Sequence, residues 1–329
     1  MRIVFAGTPE PAVPSLRVLA ASGHDLVGVV TRTDAPLGRK RVLTPSPVAA
    51  AAAALGLPAI KADRLDDEAT AAIAALRPDL GVIVAYGGLV REPLLSMPHH
   101  GWINLHFSLL PRWRGAAPVQ HALIAGDRVT GATVFQLVPE LDAGDVLGEL
   151  RYDVPRGATA GEVLAQLAQR GAELVTEVVD EIAAGTALAV PQHGEPTLAP
   201  KLTLADGALD LSQPAEVVLD RLRGTTPEPG AHVTIDGQRL KVHAALRGPD
   251  LRVPPGGFAA HAKDILLGTG DGTLLLRTVQ PSGKAAMSAA DWWRGLRGEA
   301  PRAALPGDTL PGDAAPGDTA PRALPGAAR

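Results

Sequence analysis

LGVIVAY at residues 80–86 and WINLHF at residues 102–107 decide the reading of the fold. Each is a near-continuous apolar run with Val and Ile prominent, the pattern of a strand buried on both faces of a parallel sheet. RIVFA (2–6) and LVGVV (26–30) repeat it upstream, and helical patterns separate the runs. Ser46, followed by Pro47 and an alanine run that stops at Gly56, marks one helix from cap to end. Leu164, Leu167, Leu174, Val175, Val178, Val179 and Ile182 form an apolar stripe that predicts a second helix over Ala160–Ala184. Alternation of this kind gives an α/β class, a Rossmann-like doubly wound domain covering residues 1–188.

Past Gly185 the texture changes. Pro191, Pro196 and Pro200 punctuate a stretch without periodicity, so residues 189–204 are expected to be a linker. From residue 205 to 298 the pattern is mainly β: Asp236-Gly237 and Asp271-Gly272 each sit between alternating runs and predict hairpins, and a smaller, OB-like β-barrel fits. Residues 299–329 hold six prolines and four glycines with PGD repeated at 306, 311 and 316, a composition expected to be a disordered tail without contacts.

Composition narrows the function classes. The 329 residues carry 31 basic and 35 acidic side chains for a net charge of -4, which excludes wholesale polyanion binding and leaves only local basic patches. With zero cysteines there is no disulfide frame, thiolate zinc site or cysteine nucleophile, so the chemistry falls to His, Asp, Glu, Asn or hydroxyls. No apolar run approaches a membrane span, and MRIVFAGTPE enters a strand pattern without the features of a leader. A cytoplasmic monomer is expected.

GWINLHFSLLPRWRGAAPVQHAL, residues 101–123, carries the chemistry. Asn104 and His106 lie two apart at the end of a strand and so face the same side, toward the crevice where open α/β sheets bind ligands. Pro118 is placed to start the next helix. Downstream, Asp142 follows a strand in the tight turn Leu141-Asp142-Ala143-Gly144-Asp145. An amide donor, an imidazole able to carry a proton near pH 7 and a carboxylate to orient it make an acyl-transfer set without a covalent nucleophile. A dinucleotide enzyme is disfavoured because GTPEPAVP replaces the G-x-G-x-x-G fingerprint after the first strand. A metal site drawn from His99, His100, His106 and Asp142 suffers because adjacent histidines on a strand face opposite ways, and no metal is called for.

AGTPE (6–10), GRKRVLTPSPV (38–48), VAYG (84–87), INLHFSLLPRWRGAAPVQHAL (103–123), LDAGD (141–145) and QPSGKAAMSAADWWRG (280–295) together resemble the methionyl-tRNA formyltransferase family over about 300 residues. The resemblance implies that Asn104, His106 and Asp142 are catalytic. It implies that the Ser108, Leu109, Leu110, Pro111 loop lines the folate site, and that Arg39, Lys40 and Arg41 touch the acceptor end of initiator tRNA. The residue after the histidine is usually small in this family. Here it is Phe107, which must point away from the site or narrow it.

The implied reaction moves a formyl group from 10-formyltetrahydrofolate, the co-substrate, to the amino group of methionyl-initiator tRNA, directly through a tetrahedral intermediate, with a charged His106 beside the Asn104 amide. The alternatives are a formyl-folate enzyme acting on another amine and a tRNA acceptor-end binding module with impaired catalysis. Residues 205–298 would bind tRNA as well. Basic and acidic side chains number 17 and 21 over residues 1–204 and 11 and 10 over residues 205–298, so RNA contact must be local. Arg112 and Arg114 around Trp113, and Arg221, Arg223, Arg239 and Lys241 further on, are further cations for it.

Overall fold

The computed structural model describes residues 1–308 except 39, 298 and 299. The chain divides into two compact units, Met1–Gly207 with Asp220–Ala231, and Ala208–Leu219 with the chain from His232 onward.

The first unit runs β1 (Arg2–Gly7), α1 (Val13–Ala21), β2 (Asp25–Thr31), β3 (Ala35–Leu37), β4 (Val42–Thr44), α2 (Pro47–Ala54), β5 (Ala59–Lys61), α3 (Asp67–Ala75), β6 (Leu80–Val84), β7 (Trp102–His106), α4 (Pro118–Ile124), β8 (Val129–Gln136), β9 (Val146–Asp153) and α5 (Ala160–Ala184). Its main sheet has the order β5-β2-β1-β6-β7-β8-β9. Neighbours are parallel from β5 to β7, and β8 and β9 turn antiparallel. The apolar runs are continuous because both faces are covered, and the period of two sorts them. Ile3, Phe5, Val82, Val84, Ile103 and Leu105 pack in one core with Leu16 and Leu19 of α1 and Val163, Leu167 and Val175 of α5. Val4, Ala6, Val30, Ile83 and Trp102 pack in the other with Ile73 of α3.

Helix ends follow from local chemistry. The Ser46 hydroxyl accepts from the Ala49 amide at 3.0 Å, and Pro47 opens α2. Thr159 and Glu162 form a reciprocal capping box on α5, which ends where Gly185 takes φ +69°. Among the described residues, no helix is long and apolar enough to cross a membrane.

The stretch 189–204, expected on composition as a linker, is hydrogen-bonded into this unit. Val190 and Val146 exchange backbone bonds at 2.8 and 2.9 Å, and Thr197 and Ala199 bond to both sides of Arg114.

The second unit contains α6 (Ala215–Gly224) only in part, then β10 (His232–Ile235), β11 (Gln238–Arg247), β12 (Phe258–His261), β13 (Asp264–Gly268), β14 (Thr273–Pro281), β15 (Met287–Ser288) and α7 (Ala289–Arg294). The antiparallel order is β10-β11-β14-β13-β12, with β15 on β14. Asp236 and Gly237 join β10 to β11 with φ +49° and +74°, the doubly left-handed turn that suits a twisted hairpin.

One expectation is corrected here. The tail was to make no contacts from residue 299, yet Ala303 is fully buried and bridges antiparallel to Ile235, while Arg302 bridges antiparallel to Gly257 at the start of β12. The Ala303 amide donates to Gly256 O and the Ala304 amide to Thr234 O, both at 2.8 Å. This short strip therefore bridges the end of β10 to the residues just before β12, the two ends of the sheet order. A contact strip of three residues, of which only Ala303 is buried, is invisible to a composition argument averaged over thirty-one. Residues 309–329 of the expected tail lie outside the described residues.

Candidate active site

Strand β7 alternates as its sequence requires. Trp102, Asn104 and His106 share one face, and Ile103 and Leu105 point into the opposite core, where Phe107 joins them. Phe107 is thus turned into the core, away from the face that carries Asn104 and His106. One strand repeat, about 6.6 Å, separates Asn104 from His106 along the face. The Asn104 side chain is half-buried.

His106 is 5% exposed. Its Nε2 donates to the carbonyl of Trp113 at 2.8 Å, which fixes the tautomer: the proton of the neutral ring sits on Nε2, and Nδ1 carries the lone pair. Nδ1 lies 3.8 Å from Asp142 Oδ2. Burial pulls the imidazole below the ordinary histidine range, against the Asp142 carboxylate and the Trp113 carbonyl, which both favour the cation. Beside the charged His106 expected from the sequence, burial favours the neutral ring, in which the free nitrogen is a base facing an acid group.

Asp142 takes φ +45°, a left-handed conformation uncommon outside glycine. Its Oδ2 accepts from the Gly115 amide at 2.7 Å, so the carboxylate is anchored on one side and aimed at His106 on the other. A Cβ on Gly115 would lie 2.7 Å from Ala199 O, and one on Gly144 only 1.7 Å from Gln136 O, so glycine is required at both places for the loops to approach.

The Ser108–Pro111 loop is turned largely inward. Ser108 Oγ donates to Arg112 O at 2.6 Å, Thr133 Oγ1 donates to Ser108 O at 2.7 Å, and Leu110 and Pro111 are buried. Leu109 is half-buried. The cations flanking Trp113 are already engaged: Arg112 contacts both oxygens of Asp127 at 2.9 Å and stands over the Trp113 ring, and Arg114 Nη2 donates to Gln192 at 2.6 Å. Arg221 donates to Asp206 O, and Arg223 pairs with Asp220. Arg239 is exposed on β11, with Lys241 two residues along it.

Lys40 and Arg41 are exposed at the tip of the β3–β4 hairpin, and Arg39 lies outside the described residues. A cavity of about 1480 Å³ opens beside that hairpin, bordered by Thr8, Glu10, Arg32, Ser46, Asp63 and Gly87 among others. It sits past the carboxyl ends of β1, β2 and β6, where the strand order reverses, the place at which such sheets take ligands. Asn104, His106 and Asp142 do not line it, but β6 and β7 are neighbours with Ile83 opposite Asn104. The structure thus brings His106 and Asp142 together, sets Asn104 on the same face, and keeps the basic hairpin apart on the cavity's rim. Gly115 and Trp113 lie in the stretch 101–123 but act through backbone groups that residue type does not announce, and Gln192 belongs to no sequence motif.

Two family models match the chain, formyl transferase over residues 1–179 and the formyl transferase C-terminal domain over residues 201–297, which makes it a formyltransferase enzyme. A methionyl-tRNA formyltransferase of Leifsonia xyli is 63% identical over 300 residues, covering 91% of this chain and 99% of the relative. One of Clavibacter sepedonicus is 60% identical over 297 residues, covering 90% and 97%. The chain belongs to the methionyl-tRNA formyltransferase family. Solved structures share the fold: a methionyl-tRNA formyltransferase from Clostridium thermocellum matches with TM-score 0.53 at 14% identity over 75% of this chain and 94% of that one. HypX from Aquifex aeolicus in complex with tetrahydrofolic acid matches with TM-score 0.60 at 19% identity over 89% and 46%.

Proposed function

We propose that Asn104, His106 and Asp142 carry out transfer of a formyl group from N10 of 10-formyltetrahydrofolate to the α-amino group of methionyl-initiator tRNA, the reaction of the family. The observation that carries the assignment is the tautomer of His106: with Nε2–H held by Trp113 O, the basic Nδ1 is the nitrogen beside the Asp142 carboxylate.

The acceptor amine has a reference pKa of about 7.7–8.0, so much of it is neutral at working pH. As its nitrogen bonds to the formyl carbon, a proton must leave, and Nδ1 of His106 is placed to take it. The imidazolium so formed points its new N–H at Asp142. The Asn104 amide donates to the formyl oxygen as negative charge builds there, an effect typically of about 3 kcal/mol for one donor. When the bond to N10 breaks, the proton held on His106 is returned to N10, and the neutral ring is restored. No bond to the protein forms.

Ser108–Pro111 borders the folate site, with Leu109 as its accessible apolar side chain. The β3–β4 hairpin, through Arg39, Lys40 and Arg41, grips the tRNA acceptor end, and the second unit adds Arg239 and Lys241. Incubation of the protein with 10-formyltetrahydrofolate and methionyl-initiator tRNA is expected to yield formylmethionyl-tRNA. Binding of the tRNA without product would overturn the catalytic reading.

A further inference from the structure

The turn that presents Asp142 needs external support. Its left-handed backbone costs about 1–2 kcal/mol in a residue with a Cβ, and among the described residues the Asp142 carboxylate has a single amide, that of Gly115, to fix it. The remaining support comes from Gln192, fifty residues downstream in the proline-punctuated stretch. Its Nε2 donates to Asp142 O and to Gly144 O, both at 2.8 Å, and its Oε1 accepts from Arg114 Nη2 at 2.6 Å.

This network fixes the amide orientation, since a flipped group would set its oxygen against two carbonyls and its N–H bonds against a guanidinium. Only a primary amide fits the demand: two donors split between two carbonyls, with an acceptor on the opposite end. A hydroxyl has one donor, a carboxylate none, and an ammonium no acceptor. Arg114 is itself held through its backbone by Thr197 O and the Ala199 amide, at 2.8 and 2.7 Å. Its charge polarises the Gln192 amide and strengthens the two bonds that amide gives. Because Gly115 follows Arg114, the contacts close a ring: Arg114 to Gln192, Gln192 to the Asp142 backbone, the Asp142 carboxylate to Gly115.

We infer that Gln192 is a positioning residue of the active site, holding the Asp142 turn so that the carboxylate faces His106 Nδ1. The inference rests on the catalytic reading of Asp142 above, and the experiment separates the two. Single-turnover formylation is measured for Asp142→Asn, Gln192→Ala, Gln192→Glu and the Asp142→Asn/Gln192→Ala double variant, with KM for both substrates, melting temperature, and the pH titration of the His106 imidazole followed by NMR.

Gln192→Ala is expected to lower kcat about tenfold to a hundredfold with little change in either KM. Gln192→Glu, which keeps the volume and the Arg114 acceptor but offers no donor, is expected to do the same and stands in if the alanine variant folds poorly. In Gln192→Ala, which adds no charge of its own, His106 should titrate at lower pH than in the wild type, because the carboxylate that favours its cation has moved. The double variant should be no slower than Asp142→Asn within about twofold, since both changes remove one effect. A slow Asp142→Asn with a normal Gln192→Glu would overturn the role of Gln192. Additive losses with an unmoved His106 titration would reduce Gln192 to a scaffold residue and overturn it equally. A fast Asp142→Asn would instead remove the catalytic reading on which it stands.

Discussion

Asp142→Asn is the sharpest probe of the site, because it alters charge and almost nothing else. An asparagine carbonyl can still accept the Gly115 amide, so the turn keeps its anchor while the negative charge 3.8 Å from His106 Nδ1 is lost. At that separation a unit charge favours the imidazolium by about 4 kcal/mol at an effective dielectric of about 20, and by about 1 kcal/mol in bulk water. The pair is mostly buried, with side chains 6% and 11% exposed, which sets the effect in the upper part of that interval. A transition state in which His106 has taken a proton should therefore lose about 10²–10³-fold in rate.

Single-turnover formylation across pH is the assay. The sign of the second readout follows from the same charge: Asp142 raises the affinity of His106 for protons, so its removal lets the ring stay neutral to lower pH. The acid-side fall in rate assigned to His106 should move to lower pH even as the plateau drops. A plateau within twofold of the wild type, or a His106 titration shifted to higher pH, would refute the proton-acceptor role.

Asn104→Ala should slow the single-turnover step by about 10²–10³-fold while tRNA affinity, read by filter binding, is retained. Lys40→Ala and Arg41→Ala should weaken tRNA binding and flatten its dependence on salt without altering folate binding, checked by titration at several ionic strengths. Gly144→Ala forces a Cβ into the Gln136 carbonyl and should lower both melting temperature and activity, the latter more than any surface Gly→Ala change. Ala303→Glu puts a charge into a fully buried position and should destabilise the second unit by several kcal/mol, measured by urea unfolding.

Much of the architecture was legible because local signals agreed with their tertiary context. Helix α5 carried an apolar stripe in its sequence, and the capping box and terminal glycine of the structure close it at Ala160 and Ala184, the bounds expected. The Asp236-Gly237 hairpin needed only its two residues. Asn104 and His106 share a face by strand geometry alone. What could not be read is what depends on contacts distant in sequence. The neutrality of His106 follows from burial and its tautomer from the carbonyl of Trp113, neither of which leaves a trace in residue type. Arg112 and Trp113 read as an RNA grip but are occupied by Asp127. Gln192 sits among prolines with no periodicity around it, and only the fold brings it under the Asp142 turn.

The strip at Arg302–Ala304 also governs how the molecule behaves when cut. While it is in place, Ile235 at the end of β10 and Gly257 just before β12 each have a bridge partner in it. A chain ending at residue 300 would present two unlike strand borders at once, each with unpaired amides and carbonyls. Because the borders differ, one copy's β10 could dock on another's β12 and leave a fresh pair exposed at the ends. Where the rotation between copies does not close a ring, such growth gives open-ended polymers rather than dimers.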